Sequence, residues 1–310
     1  MSKTLESLKM ASSVALGIFD GVHLGHQEII YSAINEAKKL NLESVVLTFK
    51  NHPRSLTIKN TPLLITDYES RESLFFSLGI EKVFGLNFSL DIMNMSPDEY
   101  LEKYLIHTLN AKSISVGYDH HFGKNRSGNV ALLKDFCKKN DISLNISQEF
   151  KINGETVSSS AIRRYLSEGN VKAANLLLGR EFKLKGLVTH GEKRGRELGF
   201  PTANLKVSDE LVRPAAGVYL CRVNLLQRNN AEKPKSSLKA LVNIGVRPSF
   251  GENLMSSIEA HILEYSADLY DRELELEFID KIRDEQRFPS KDALINAIQE
   301  DIKKAELISI

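Results

Sequence analysis

Residues 12–40 change their hydrophobic period once, and that change constrains the fold more than any other feature of the chain. SSVALGIF is a short, nearly continuous apolar run, the pattern of a strand buried on both faces. It enters a glycine-bearing turn, after which Ile29, Ile30, Ala33, Ile34, Ala37 and Leu40 recur at helical spacing. A buried strand that turns into a helix is the first half of a βαβ unit. VVLTF (45–49), VFGLNF (83–88) and SISVG (113–117) repeat the strand signal. Ser96-Pro97-Asp98-Glu99 opens a helix, with Ser as cap, Pro in the first position and Glu closing a capping box. This alternation predicts a parallel sheet, and such sheets bind ligands beyond the carboxyl ends of their strands.

Near Arg180 the pattern changes. KLKGLVTHG, GVYLCRVNLL, LKALVNIG, SSIEAHILEY and ELELEFI read as strands separated by turns, which predicts a small antiparallel barrel. NNAEKPKSS (229–237) reads as a polar hairpin loop. A final helix is expected from about Ser290, with Leu294, Ile295, Ile298 and Ile302 on one face. The expectation is an α/β domain over residues 1–182 followed by a β-barrel domain over 183–310. A chain of 310 residues comfortably supports two cores.

Composition removes several classes of function. The first 182 residues hold 21 Lys and Arg against 20 Asp and Glu, and the rest 20 against 20. Neither part has the positive excess of a nucleic-acid binder. The two cysteines, Cys137 and Cys221, form no metal-ligand spacing and no disulfide framework. No run approaches the ~20 apolar residues of a membrane span, and MSKTLESLKM lacks the apolar core of a signal peptide. A cytoplasmic protein acting on small anionic molecules is expected, with self-association left open.

The motifs follow the expected strands. LGIFDGVHLGHQ (16–27) places His23 and His26 three apart around Gly25, at a helix start. Helix N-termini bind phosphate, and two imidazoles reaching the same anion suit a triphosphate. Taken alone, such a pair is more often a helix cap beside a surface histidine; the preceding strand and turn favour the phosphate site. VSSSAIRRYL (157–166) offers serines that cap a helix or, with Arg163, contact phosphate. In the second half, GFPTAN (199–204) presents the Thr202 hydroxyl and Asn204 amide oxygen, hard ligands suited to Mg²⁺ with ATP. HGEKRGREL (190–198) is a glycine- and arginine-rich loop that fits either a phosphate cover or a solvated turn. Glu259, in IEAHIL, is a candidate base for an alcohol or a solvent-facing strand residue.

GIFDGVHLGHQ, TFKNHP, GYDHHFGKNRSGN and VSSSAIRRYL occur in the order seen in bacterial FAD synthetases. HGEKRGRELGFPTANL, GVYL, NIGVRPSFG, IEAHIL and LYDRELELEFIDKIRDEQRF resemble riboflavin kinase. The first resemblance implies a Rossmann-like nucleotidyltransferase domain. It places ATP at Phe19, Asp20, Gly21, His23, Gly25, His26, Ser159, Ser160 and Arg163, and FMN at Asn51, His52, Pro53, Asp119, Phe122, Arg126 and Gly128. The second implies an ATP site at His190, Gly195, Arg196, Gly199, Phe200, Pro201, Thr202 and Asn204. It makes Thr202 and Asn204 ligands of Mg²⁺, Glu259 the base for the ribityl hydroxyl, and Arg283 and Arg287 flavin contacts. The chain departs from the family patterns at Lys50-Asn51, Tyr118, His120, Ser249 and Asp271.

The resemblances together imply one bifunctional enzyme: riboflavin and ATP give FMN, then FMN and ATP give FAD and pyrophosphate. Three rivals stay open. One is an adenylyltransferase for another mononucleotide, which leaves the second half without a task. The others are a flavokinase with a weakened adenylyltransferase site and a non-catalytic flavin-binding regulator.

Overall fold

The computed structural model describes residues 8, 10–53, 61–190, 198–226, 235–247 and 255–308. The chain divides into two compact units, Met1–Ser159 and Ser160–Ile310.

The first unit begins with β1 (Ser12–Leu16), α1 (Leu24–Leu40), β2 (Glu43–Phe49), α2 (Tyr68–Leu78) and β3 (Lys82–Leu86). It continues through α3 (Leu90–Asn94), α4 (Pro97–Tyr100) and β4 (Ala111–Gly117). The hairpin β5 (His121–Phe122) and β6 (Gly128–Asn129) precedes α5 (Val130–Lys139) and β7 (Ser143–Ser147). A second small hairpin, β8 (Lys151–Ile152) and β9 (Glu155–Thr156), follows. The five main strands pair in parallel in the order β3-β2-β1-β4-β7. β1 is buried along its whole length because both sheet faces are covered. Val14, Val45, Leu47, Ile114 and Val116 join one apolar cluster; Ala15 and Val46 join another with Ile30 and Ala33 of α1 and Phe75 of α2.

The capping box at Ser96 and Glu99 forms, with Pro97 in the first turn. The helix does not stop at Tyr100, however. It widens into a π-helical stretch, Leu101–Thr108, in which the Leu109 N–H reaches the Tyr104 carbonyl at 2.9 Å. Leu101, Tyr104 and Leu105 enter the core from it. Leu40, expected on the buried face of α1, is 43% exposed because it lies in the last turn, beyond the sheet.

From Ser159 the chain forms α6 (Ser159–Ser167), α7 (Val171–Leu178), β10 (Phe182–Thr189) and β11 (Ala203–Lys206). Then come β12 (Gly217–Leu225), β13 (Lys235–Arg247), β14 (Met255–Ile262), β15 (Glu273–Asp284) and α8 (Lys291–Leu307). The strands close an antiparallel barrel in the order β10-β11-β14-β13-β12-β15, with β15 returning to β10. Phe182, Leu184 and Val188 alternate inward along β10. α8 is capped by Ser290 and packs Ala305 and Ile302 against Val218, Leu220 and Leu241. Lys239 completes the helix end, donating to the carbonyls of Ala305 at 3.3 Å and Ile308 at 2.7 Å. The polar loop expected at 229–237 is shorter than that reading, since residues 235–237 open β13; residues 229–234 lie outside the described residues. Cys137 and Cys221 are both free and buried.

Candidate active sites

β1 is central in the sheet and β2 and β4 flank it, so the segments after these three strands emerge side by side at the carboxyl edge. The turn after β1 is tightly folded: Phe19, Gly21 and Val22 all have positive φ, at 55°, 84° and 41°. For a β-branched residue such as Val22 that is a true outlier, sustained here by complete burial. A Cβ on Gly21 would sit 3.1 Å from Ile65. Asp20 is buried, and its carboxylate accepts hydrogen bonds from the backbone N–H groups of Ile65 at 3.0 Å and Thr66 at 3.3 Å.

His23 is the N-cap of α1, and its Nδ1 accepts the backbone N–H of His26 at 3.2 Å. With Nδ1 acting as acceptor, the ring proton of the neutral imidazole resides on Nε2, which is therefore a donor. The two imidazoles stack with centroids 3.5 Å apart, and Phe19 meets His26 edge-on at 5.3 Å. The helix-cap reading of the pair therefore holds at His23. Gly25 leaves room for this stack, since a Cβ there would already touch the His23 ring at 3.4 Å. Ser159, the last residue of the first unit, donates to the Asp20 carbonyl at 2.8 Å. Ser160 is exposed and Arg163 half-buried.

After β2, Asn51 is committed to Phe88: its Nδ2 donates to the Phe88 carbonyl at 3.0 Å and its Oδ1 accepts the Phe88 N–H at 2.7 Å. His52 and Pro53 follow, half-buried. After β4, Asp119 and Arg126 are exposed, whereas Phe122 is buried beside Tyr100 with ring centroids 6.0 Å apart. Phe122 pairs across the small hairpin with Gly128, where a Cβ would collide with its ring at 2.6 Å. His120 stacks on Phe122 at 5.6 Å. Burial, helped by nearby His121 and Arg126, lowers the His120 pKa to about 4, so this imidazole is neutral at pH 7.

In the barrel, the register assembles one row across neighbouring strands: Thr189, Asn204, Glu259, Asn243, Val218 and Arg283. Directly paired residues share a face, with Cβ atoms about 5 Å apart. Ala203, Leu205, Ile258, Ala260, Val242 and Ile244, on either side of the polar members, are all buried, so the row faces away from the barrel core. Asn204 therefore stands beside Glu259. Asn243, on the other side of Glu259, was missed by the sequence reading, although its NIG motif marked the strand. The approach to β11 is held by His261, whose Nδ1 lies 2.8 Å from the Pro201 carbonyl, and by the edge of Phe200 on the same ring at 5.7 Å. Gly199 has φ 85° with open space around it, and Thr202 is exposed. His190 packs on Tyr270 with centroids 4.0 Å apart. Gly195 and Arg196 lie outside the described residues. Arg283 is gripped by the buried Asp301 of α8, through Nε at 2.8 and 3.1 Å, while Arg287 is exposed.

Asn204 supplies a neutral oxygen beside the Glu259 carboxylate and Thr202 a hydroxyl two residues earlier in the chain, and no cluster of three His, Cys, Asp or Glu exists among the described residues. That set fits Mg²⁺ held mainly by phosphates and water, the usual mode for this ion with nucleotides.

Comparison with known proteins decides the assignment. Residues 5–161 match the family model for FAD synthetase and residues 178–309 that for riboflavin kinase. A bifunctional riboflavin kinase/FMN adenylyltransferase from Haemophilus influenzae is 33% identical over 95% of this chain and 93% of its own. The chain belongs to the bifunctional riboflavin kinase/FMN adenylyltransferase family. An Escherichia coli member is 32% identical, covering 93% of this chain and 90% of that one. A Streptococcus pneumoniae structure, described as a macrolide-efflux protein, superposes with a TM-score of 0.86 at 31% identity over 96% of this chain and 95% of that one. Among the described residues of this chain no helix is long and apolar enough to cross a membrane.

Family membership gives the two reactions: phosphorylation of riboflavin by ATP to FMN, and adenylylation of FMN by ATP to FAD. One departure from the family pattern is accommodated. Asp271, where glycine is usual, keeps the left-handed turn conformation at φ 59°, which Asp tolerates better than most residues.

Proposed function

We propose a residue-level division of the two reactions. In the kinase site, Glu259 accepts the proton of the ribityl 5′-hydroxyl as its oxygen attacks the γ-phosphorus of ATP and ADP leaves. Thr202 and Asn204 hold Mg²⁺ on the triphosphate; when bound, the ion neutralises charge that builds during transfer. Arg283 and Arg287 meet the flavin end, and His190, Gly195, Arg196, Gly199, Phe200 and Pro201 border the nucleotide. The observation that supports this reading most is the pairing of Asn204 with Glu259 across adjacent strands, which brings a metal-ligand candidate beside a base candidate.

In the adenylyltransferase site, an FMN phosphate oxygen attacks the α-phosphorus of ATP and pyrophosphate leaves. His23 donates from Nε2 to the phosphates, with His26 and Gly25 beside it, and the family resemblance assigns Ser160 and Arg163 to ATP as well. Phe19, Asp20, Gly21 and Ser159 shape the turn. Arg126 meets the flavin phosphate on a loop that also carries Asp119 and is supported by Phe122 and Gly128, with Asn51, His52 and Pro53 alongside. We place the functional boundary after Phe182 and the enzyme in the cytoplasm.

The test follows riboflavin, FMN and FAD chromatographically in the presence of ATP and Mg²⁺. Glu259→Gln is expected to cut FMN formation by roughly 10²–10⁴-fold while added FMN still becomes FAD. His26→Ala is expected to do the reverse, with a loss on the order of 10²–10³-fold in FAD formation. Normal FMN production by the first variant would remove Glu259 from its role. Normal FAD production by the second would do the same for His26.

A further inference from the structure

Arg71, in α2, is fully buried at 0% exposure, an unusual state for an arginine. Its hydrogen bonds explain the position. Nη1 donates to the Ile18 carbonyl at 2.6 Å, and Nη2 donates to the carbonyls of Phe49 at 3.0 Å and Lys50 at 3.1 Å. Ile18 begins the turn that leads to His23, and Phe49 and Lys50 begin the segment that leads to Asn51 and His52. Thr48 donates to the same Ile18 carbonyl at 2.9 Å. Burial pushes the Arg71 guanidinium down, and the nearby charge of Asp20 is the largest influence holding it up. Asp20 in turn binds the backbone at Ile65 and Thr66, immediately before α2. The face of Tyr68 lies 5.9 Å from the guanidinium carbon, and a Cβ on Gly85 would overlap the Tyr68 hydroxyl.

One cation therefore spans the carboxyl ends of two adjacent parallel strands by binding only their carbonyls. Helix packing alone does not call for this, because an apolar residue would fill the space without the cost of desolvating a charge. We propose that Arg71 is a positioning residue of the adenylyltransferase site. It fixes the spacing of the two catalytic-edge segments and supplies a preorganised positive field beneath the triphosphate. This inference rests on the placement of ATP at His23 and His26.

The test compares Arg71→Met and Arg71→Lys in the full chain, with riboflavin phosphorylation in the same preparations as an internal control. Steady-state conversion of added FMN to FAD and thermal unfolding are measured for each, beside His26→Ala. Arg71→Met is expected to lower kcat for FAD formation about 100-fold, the scale of a displacement of about 1 Å, and to raise KM for ATP. Arg71→Lys restores the charge but not the two-pronged grip, so KM for ATP recovers while kcat stays low. Two results would overturn the proposal while His26→Ala is impaired. One is unchanged kcat and KM in Arg71→Met; the other is an equal loss in both variants that tracks a fall in unfolding temperature. If His26→Ala forms FAD normally, the placement of ATP fails instead and the proposal falls with it.

Discussion

Asn51 does the work of a strand residue with its side chain. Its amide makes both hydrogen bonds to the backbone of Phe88, so the segments leaving β2 and β3 stay joined after the sheet ladder has ended. Asn51→Ala is expected to destabilise the first unit by about 1–3 kcal/mol, because the Phe88 N–H and carbonyl lose their partners in a half-buried place; urea denaturation followed by a probe in that unit measures it. The NHP motif drew attention to Asn51 as a ligand contact, and nothing in the sequence announced Phe88, 37 residues away, as its partner. His23 was more legible as a helix cap, since it stands where the strand and turn hand over to helical spacing. Arg71 gave no signal at all: nothing in YESRESLFF sets it apart, and only the tertiary fold places it under two strand ends. The positive φ at Phe19 and Val22 was equally hidden, because neither residue type advertises it.

Elements were legible where apolar periodicity was strong. β1, β2, β4, β10, β12 and β14 lie under the runs that predicted them. β7 and β11 carry weak strand signals: SLNIS has little apolar content, and ANLK is only four residues long and overlaps the GFPTAN motif. The π-helical stretch was missed because its widened turns depart from the 3.6-residue period. The barrel also has a face that periodicity describes only as polar. There, Lys183 bridges Glu275 at 3.0 Å and Glu277 at 2.6 Å, while Arg222 pairs with Glu277 and Asn224 reaches both glutamates. Burial pushes the Glu277 carboxyl up, but hydrogen bonds from Lys183 and Arg222 outweigh it and leave it below its ordinary value of 4.5. A depressed carboxyl stabilises the fold above its unfolded pKa, and the contribution is lost as pH falls through the folded value. The barrel is therefore expected to weaken below about pH 4.5, and Glu277→Gln should flatten that acid limb in a pH series of thermal unfolding. The effect at neutral pH will be modest, because Lys183 is 39% exposed and solvent screens the pair.

For the whole molecule, two compact units match two family models, and each unit has its own buried cluster. The change from alternating strands and helices to strands alone, near Arg180, is a change of periodicity rather than of composition. The near-neutral charge of both parts agreed with small-molecule substrates and pointed no further. Separate cores predict separable activities. A mixture of Glu259→Gln and His26→Ala chains should convert riboflavin to FAD, with FMN made by one variant consumed by the other. Chromatography of the mixture reads this directly; FMN accumulating without FAD would mean that the product of the first step does not reach a second chain.

The grip of Asp301 on Arg283 bears on the order in which the chain becomes active as it is made. The five-stranded sheet uses strands that lie entirely between Ser12 and Ser147, so a ribosome releases all of them while the barrel is still incomplete. Arg283 waits for a partner 18 residues later, and Lys239 for helix carbonyls more than 60 residues later. The half that consumes FMN is thus ready to fold first. The half that makes FMN closes last, and a nascent chain cut short before Asp301 would keep the complete sheet but leave Arg283 without its anchor.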